Sequence, residues 1–536
     1  MGRTLNDTAL CYGTSGPLFR RGGAAAKISQ TTVYILYHFY LHTLAKYPGP
    51  LLSRVTTARA AYHAWKGDLH LDMLICHRKY GPVVRYAPNH LIFESSAALK
   101  DIYSAGQNVS KPQMYQGLKE GQANILNMSD KKEHSRRRRL LGRGFTESSL
   151  RVFTPKLVQH IQRFCARINR ASQNPALDRS TSSHWGHPIN MADWCSYLTF
   201  DVMCDFIFGV NYNLLESEEY RHVIDDLEDA NLRTAVLLWA PYLYIGRLDK
   251  ILFRQSARGL HRFLGFLKQL IADSSVHREI RQYDIFAYLN SLKEGREEKL
   301  GNRQVLSESS ILIVAGYDTT ATALCATIFY LSRSPHAYAR LSSEIRSRFA
   351  SAAEITSPRQ LESCTYLAAC IDEALRMSPP VASCLFREVG TGGIIVDSHP
   401  IPAGVVIGNG VYSLHRSPRN FERADEFIPE RWLTESQDLQ GEVLEVSGSK
   451  SAFAPFCTGP RACIGKTFAL MELSMTVAVL LARYDFKVAS GEDGLLGAGS
   501  AIAGVGRGSP TEFQLYDQIT GAKRGPVIQL RPVVGK

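Results

Sequence analysis

The chain lacks the patterns that mark disulfide-rich, zinc-binding or modular proteins. Its 11 cysteines have no regular spacing and form no Cys-x-x-Cys pair, which excludes a disulfide framework and favours a reducing cytosolic environment. No internal repeat or low-complexity linker divides the 536 residues. Because 45% of the residues are hydrophobic, the chain can bury a large core, and we predict one large domain.

A long apolar run is also missing near the N-terminus. A membrane-spanning helix needs about 20 apolar residues, whereas the aromatic segment 33–44 is shorter and contains His38 and His42. Residues 1–30 are polar, glycine-rich and basic, unlike a signal peptide. Segment 33–44 is typical of the end of a membrane anchor or of an interfacial helix. We therefore predict an N-terminal segment over 1–47 and a domain over 48–536.

Acidic residues are fewer than basic ones, with 50 Asp and Glu against 62 Lys and Arg and a net charge of +12. The four arginines at 136–139 invite a nucleic-acid interpretation. They lie on a predicted amphipathic helix, and we expect most of them to present charge to an acidic protein partner instead. No nucleic-acid partner is predicted.

The segment FCTGPRACIG at 456–465 has the features of an iron–thiolate site. Cys463 stands just before an apolar, helix-forming stretch, so free amides and the helix dipole favour its anionic form. Arg461 adds positive charge, and the two glycines permit close backbone approaches. The alternative is a buried structural cysteine. Cys457 lies before the helix start and lacks these neighbours.

A second segment, AGYDTT at 315–320, lies within an apolar run over about 309–331 that predicts a core-spanning helix. Glycine in a helix interior costs about 1 kcal/mol, and we expect Gly316 to leave room for a ligand. Asp318 and Thr319 place an acid and a hydroxyl beside it. The alternative is a threonine that bonds back to a carbonyl one turn earlier.

These two segments resemble the cytochrome P450 family, whose patterns are Phe-x-x-Gly-x-Arg-x-Cys-x-Gly and (Ala/Gly)-Gly-x-Asp-Thr. The resemblance covers about residues 45–530. It implies haem b with Cys463 as the axial iron ligand and with Phe456 and Arg461 in the haem-binding loop. It further implies that Asp318 and Thr319 relay protons to iron-bound O2.

Two charged segments extend the resemblance. Glu373-Ala-Leu-Arg376 matches the family's Glu-x-x-Arg pattern, and FIPERW at 427–432 matches the segment whose arginine, Arg431, joins that pair. The resemblance implies a buried structural triad that holds the cysteine loop. An i, i+3 pair on a helix is otherwise a weak surface interaction.

Three residues are expected at the haem propionates by resemblance. The family usually has Trp-x-x-x-Arg in this segment, and here His134 and Arg138 occupy the two positions. A histidine keeps a ring N–H donor. Arg387 matches the arginine that meets the other propionate, and a guanidinium suits a carboxylate.

The predicted fold is mainly α with a small β-sheet region, a single large domain with haem buried between the Thr319 helix and the Cys463 helix. Apolar residues at helical spacing occur near 157–164 and 261–267, and β-branched runs occur near 83–86 and 394–396. The resemblance implies a monooxygenase, most like microsomal enzymes of filamentous-fungal secondary metabolism. The alternatives are a haem-thiolate isomerase or dehydratase and a non-catalytic haem-binding protein.

No flavin or nicotinamide domain is predicted, since the glycines at 504–508 lack a strand before them and a helix after them. NADPH therefore acts only through a separate cytochrome P450 reductase, with cytochrome b5 as a second expected donor. We expect a monomer on the cytosolic face of the endoplasmic reticulum membrane, with a lipophilic substrate. Family analogy places substrate contacts near 100–125, 231–246, the Thr319 helix, the loop after Pro380, and 517–520.

Overall fold

The computed structural model describes residues 24–118, 122–173, 185–276, 285, 300–433 and 450–533. Residues 1–23 of the predicted N-terminal segment and 119–121 of the predicted substrate-contact segment lie outside the described residues. Every predicted site residue lies within them.

Helices make up most of the described chain. In chain order they are α1 (Ala24–Leu36), α2 (Ala58–Lys66), α3 (Leu69–Tyr80), α4 (Ser96–Tyr103), α5 (Lys131–Gly142), α6 (Glu147–Ser172), α7 (Met191–Phe208), α8 (His222–Trp239), α9 (Leu248–Leu252), α10 (Arg254–Val276), α11 (Asn302–Arg333), α12 (Pro335–Arg348), α13 (Thr365–Met377), α14 (Val411–His415) and α15 (Lys466–Arg483).

Short strands form small sheets beside the helices. They are β1 (Val83–Ala87), β2 (His90–Phe93), β3 (Val109–Ser110), β4 (Ile189–Asn190), β5 (Arg387–Val389), β6 (Ile394–Val396), β7 (His399–Ile401), β8 (Val406–Asn409), β9 (Tyr484–Val488), β10 (Leu515–Gln518), β11 (Thr520–Lys523) and β12 (Val527–Pro532).

The largest sheet has the order β1-β2-β8-β5-β3, with β2 and β8 parallel. A second sheet has the order β4-β12-β9, and β6-β7 and β10-β11 are two-stranded. The strands predicted near 83–86 and 394–396 are β1 and β6. The predicted fold class, mainly helical with a small β region, is confirmed.

The central helix is α11, which packs against α7, α13 and α15. Every side chain from 321 to 331 is buried, as expected for an interior helix that is apolar on all faces. Among the described helices it alone, over Arg303–Arg333, has the length and hydropathy of a membrane span, and it is mostly buried inside the protein. Residues 309–331, predicted as a core helix, lie within it.

The aromatic N-terminal segment docks on strand β1. Buried Arg85 donates to the His38 carbonyl at 2.8 Å, and its guanidinium lies 3.2 Å from Nδ1 of the same histidine. The rings of His38 and His42 stack with their centroids 4.9 Å apart. The two histidines that interrupt the apolar run therefore belong to this contact, while Tyr40 and Leu41 are exposed by 74% and 76%.

Candidate active site

Cys463 lies in the turn that leads into α15. The helix begins at Lys466 with Gly465 as its N-cap residue, and the Cys463 amide donates to the Phe456 carbonyl at 2.9 Å. The Cys463 side chain is exposed, yet enough protein surrounds it for burial to raise the pKa of its thiol. A hydrogen bond from the Gly465 amide and the charge of Arg138 oppose that shift. Both favour the thiolate form, which the predicted role as an iron ligand requires.

Cys457 has a different environment in the same loop. Its backbone has φ +57°, its side chain is half-buried against the core cluster around Leu99 and Phe421, and its thiol donates to the Thr458 carbonyl at 3.6 Å. Burial raises the pKa of Cys457. The structure thus makes Cys463 the accessible sulfur of the loop.

The surrounding protein requires glycine at only one of the two glycine positions in the cysteine loop. Gly459 has φ +73°, and an added Cβ would come within 1.8 Å of the Tyr103 carbonyl oxygen, so only glycine fits. At Gly465 an added Cβ would lie 3.7 Å from Phe145, an ordinary contact. The protein's own packing therefore requires glycine at the first position and tolerates a side chain at the second.

Glu373, Arg376 and Arg431 form a buried network. Glu373 lies 2.9 Å from Arg376 and 3.0 Å from Arg431, and it accepts further hydrogen bonds from the Trp432 indole and the Ile428 amide, both at 2.9 Å. Burial opposes the charge, but the two arginines lower the pKa of Glu373. A buried carboxylate is stable only with such a full set of donors.

His415 connects this network to the cysteine loop. Arg376 donates to the His415 carbonyl at 2.9 Å, and the His415 ring lies 3.2 Å from the Arg376 carbonyl. The other ring nitrogen accepts the Ala454 amide at 3.0 Å. Burial and the charge of Arg376 lower the pKa of His415 to about 3, so the ring is neutral and both hydrogen bonds are satisfied. The Ala454 carbonyl in turn accepts the Cys457 amide at 3.0 Å.

Three predicted arginines lie around the cysteine loop with neutral partners. Arg138 donates to the Ala462 carbonyl and Arg461 to the Met128 carbonyl, both at 2.6 Å. Arg387 donates to two adjacent carbonyls at 3.0 and 2.9 Å. Carbonyl oxygens accept hydrogen bonds but do not neutralise the guanidinium charges.

Lys111 and the neutral ring of His134 lie beside these arginines, and we call the five side chains of Lys111, His134, Arg138, Arg387 and Arg461 the cationic cluster. Burial, Arg387 and Arg461 lower the pKa of Lys111 well below its ordinary value. Burial and the same cluster lower the pKa of His134 to about 3. Among the described residues, none of these five side chains has a salt-bridge partner, and the lysine and the three arginines donate to backbone carbonyls instead. A ligand that carries carboxylates, as the two haem propionates do, would supply the missing negative charge.

On α11, Ala315 is exposed and Thr319 is half-exposed amid buried neighbours. The Thr319 hydroxyl donates to the Ala315 carbonyl at 2.7 Å, which is the back-bonded arrangement. Gly316 serves another purpose than the expected one, because an added Cβ would lie 2.4 Å from the terminal methyl of Met203 on α7. Its missing side chain makes room for helix packing rather than for a ligand.

Asp318 lies on a different face of α11 from Thr319, since successive residues are about 100° apart around a helix. It is 1% exposed and forms a salt bridge with Lys523 of β11 at 2.9 Å. Its other oxygen accepts the Thr520 hydroxyl. The structure therefore brings Thr319 to the open face of α11 and holds Asp318 away from it.

The arginine run at 136–139 contributes less surface charge than expected. Arg137 is buried and forms a salt bridge with Glu308 of α11 at 2.8 Å, and Arg136 pairs with Glu133 at 2.7 Å. Arg138 turns to the cysteine loop, and Arg139 is exposed. The expectation that most of the run presents charge to a partner protein is wrong, because helical spacing turns two of its members inward.

The aromatic residues of the predicted substrate segment 231–246 divide between core and surface. Trp239 is 3% exposed and packs edge-to-face on Tyr86 and Phe386. Tyr242 and Tyr244 are exposed by 49% and 37%. Trp239 is thus a core residue, and the two tyrosines lie at the surface.

The sequence did not single out Lys111, His415, Trp432 or Lys523. Trp432 stands within the segment 427–432 already recognised, so its position carried a signal. The other three meet their partners only in the folded chain, and no local pattern marks them.

Comparison with known proteins agrees with this geometry. Residues 48–498 match the family model described as Cytochrome P450. The chain is 41% identical over 526 residues to cytochrome P450 monooxygenase poxM of Penicillium oxalicum, with 97% of each protein covered. Identity to cytochrome P450 monooxygenase AKT7 of Alternaria alternata is 37% over 530 residues, covering 99% of each.

The chain therefore belongs to the cytochrome P450 family. It is a cytochrome P450 monooxygenase, and membership of the family implies a haem-thiolate cofactor. Cys463 and the cationic cluster fit that cofactor, the first by an accessible sulfur with a donor amide and the second by charge that no described carboxylate pairs with.

Proposed function

We propose that this monooxygenase inserts one oxygen atom from O2 into a lipophilic small molecule, in fungal secondary metabolism, with electrons from NADPH-cytochrome P450 reductase. The observation that carries the proposal is the accessible Cys463 sulfur, which accepts the Gly465 amide beside a cluster of unpaired cations. The match to fungal monooxygenases over nearly the whole chain supports the setting.

The residues around Cys463 would hold the haem from two sides. Cys463 would bind the iron, and the cationic cluster, with His134, Arg138 and Arg387 as predicted, would receive the propionates. Once bound, haem with a thiolate ligand supplies O2 activation, because the thiolate donates electron density that favours O–O cleavage. The Gly465 amide opposes the burial that raises the pKa of Cys463, and so favours the thiolate.

The open face of α11 would receive O2 and substrate. Ala315 leaves space there, and Thr319 can release its bond to the Ala315 carbonyl to hold a water and pass on a proton. The exposed tyrosines at 242 and 244 and the loop after Pro380 would border a lipophilic entrance. These roles remain those that the family resemblance implies.

Exposed apolar side chains support association with the endoplasmic reticulum membrane. Ile245, Ile251 and Leu252, at and beside α9, are exposed by 74%, 64% and 63%, and Tyr40 and Leu41 follow α1. A membrane surface would cover such side chains. Electrons would come from the reductase, and from cytochrome b5 as a second donor, on the cytosolic side.

Replacement of each of the two loop cysteines by serine tests which of them binds the iron. We expect Cys463→Ser to lose the thiolate-type absorbance of the reduced carbon monoxide complex and all oxygenation. Cys457→Ser should keep both, because its sulfur faces the core. Loss of the thiolate spectrum in Cys457→Ser alone would show that the assignment is wrong. A wild-type protein with the spectrum but without NADPH-dependent product formation from any lipophilic substrate would contradict the proposed oxygenation.

A further inference from the structure

Asp318 has no free oxygen on its buried carboxylate. Lys523 donates to Oδ1 at 2.9 Å and Thr520 donates to Oδ2. The Asp318 and Lys523 side chains are 2% and 1% exposed. A carboxylate that accepts on both oxygens is acceptor-only, so it cannot also donate a proton toward Thr319 in this arrangement.

Both donors stand on one hairpin, β10–β11, and that hairpin is fastened to three neighbours. Thr322 of α11 donates to the Gly521 carbonyl at 2.9 Å, and Gly521 donates its amide to the Pro380 carbonyl at 2.7 Å. Asn231 of α8 reaches Thr520 at 3.4 Å. The ion pair therefore joins α11 to a hairpin that also contacts α8 and the loop after α13.

The hairpin tip is strained. Ile519, between the two strands, has φ +77°, a region that is costly for a β-branched residue. Strain of this kind persists only where surrounding contacts hold it, and here those contacts are the hydrogen bonds of Thr520 and Gly521. A hairpin held in this way can shift when one of its contacts opens.

More than one acid faces Lys523. Burial opposes its charge, but Asp318 and Glu228 of α8 raise the pKa of Lys523 above its ordinary value, with Cys325 of α11 adding to the effect. Burial also raises the pKa of Glu228, with Asp318, Asp225 and Asp193 acting in the same direction and Lys523 against it. One buried ammonium thus stabilises Asp318 within an acidic neighbourhood.

We propose that Lys523 is a positioning residue for oxygen activation, which together with Thr520 holds the Asp318 carboxylate on the hairpin side of α11 and so makes proton delivery depend on the position of the hairpin. This inference rests on the proposed function. When the contact opens, Asp318 accepts one proton from pocket water, passes it to the Thr319 side and returns to Lys523 as a carboxylate. The proton comes from solvent, and Asp318 undergoes no net change.

Replacement of Lys523 by methionine tests the inference without relying on turnover. A buried carboxylate that loses its cation favours the protonated form, so Lys523→Met should gain, relative to the wild type, an infrared carbonyl band of a carboxylic acid at neutral pH. Burial raises the pKa of Glu472 well above its ordinary value, so a background band is common to all variants and is subtracted. The added band should vanish in Lys523→Met with Asp318→Asn. Lys156→Met is the matched control, because Lys156 pairs with Asp205 at the surface at 2.7 Å. It should show no added band.

Turnover provides the second readout. We expect the ratio of product to NADPH oxidised to fall about tenfold in Lys523→Met at unchanged haem content and to become dependent on pH, with hydrogen peroxide accounting for the lost electrons. Lys523→Arg should restore most of the ratio. A Lys523→Met protein with no added carboxylic acid band and with wild-type coupling would overturn the inference.

If Lys523→Met yields no holoprotein, Thr520→Val decides. It removes one hydrogen bond but no charge, and we expect the product-to-NADPH ratio to fall about two- to tenfold. An unchanged ratio in Thr520→Val would overturn the inference. Failure of the proposed function is separable, because it would appear as absence of the thiolate spectrum or of product in the wild type, whereas the infrared band concerns the ion pair alone.

Discussion

Two buried ion pairs in this protein have the same chemistry and different surroundings. Glu373–Arg376 and Asp318–Lys523 are each at most 2% exposed and each 2.9 Å long. In the first, arginines outnumber the carboxylate and their remaining N–H groups donate to fixed carbonyls. In the second, acids outnumber the lysine, and the cation stands on a hairpin.

This difference shows that burial alone does not assign a role to an ion pair. The Glu373 network joins α13 to the cysteine loop through His415, and both oxygens of the Glu373 carboxylate accept hydrogen bonds. The Asp318 pair is buried on a different face of α11 from Thr319, and by our inference it opens to let Asp318 reach the Thr319 side. The first pair therefore stabilises the fold around the cysteine loop, and the second, by our inference, controls proton delivery for oxygen activation.

The largest expected effect comes from Glu373→Gln. It leaves Arg376 and Arg431 buried without their counter-charge, which costs about 3–5 kcal/mol, so we expect little folded holoprotein. Haem content and the free energy of unfolding in urea measure the loss. Arg151→Gln is the control, since Arg151 pairs with Glu147 on the surface with both side chains at least 67% exposed. It should change stability by less than about 1 kcal/mol. A near-normal yield of folded Glu373→Gln protein would show that the Glu373 network does not stabilise the fold as proposed.

Low pH should reduce the folding stability of the protein through His415, which contacts the Glu373 network. Its folded pKa of about 3 lies below the ordinary 6.5, so the unfolded chain binds the proton more readily, and stability is lost as pH falls through about 6.5. The loss is about 2 kcal/mol at about pH 5. His415→Gln keeps a donor and an acceptor but no titration, and its unfolding free energy should fall less over that range. Other buried histidines contribute equally to both proteins. Parallel losses would show that His415 is not the group concerned.

The smallest effect on stability is expected from Thr319→Ala, which tests the proton delivery that the second ion pair is proposed to control. The protein should keep its haem and its ferric spectrum, because no iron ligand changes. Product per NADPH oxidised should fall about tenfold while peroxide rises, since a positioned hydroxyl is lost. Wild-type coupling in this variant would assign Thr319 to its bond with the Ala315 carbonyl alone and leave Asp318 or Thr320 as the group to test.

Several site residues were predictable because their signal is local. Cys463 and its flanking residues form one turn before a helix, and Glu373 and Arg376 lie one turn apart on α13. Their spacing along the chain is itself the geometry. The prediction for Gly316 was wrong in its reason, since the space it leaves is taken by Met203, which lies more than a hundred positions earlier in the chain. The prediction for the arginine run was also wrong, because consecutive residues of a helix point to different sides and two of the four arginines turn inward.

The amino-acid pattern alone predicted the family, the helical class, the role of Cys463 and the Glu373–Arg376 pair, because each depends on short-range spacing and hydropathy. Arg431, 58 residues from Glu373, was placed by the family resemblance, and the other buried charges come together only in the folded protein. Lys523 meets Asp318 across 205 residues, and Lys111 meets Arg387 and Arg461 from distant segments. Such contacts depend on where separate elements pack, and electrostatic energies depend on burial and distance in space, which a linear pattern does not contain.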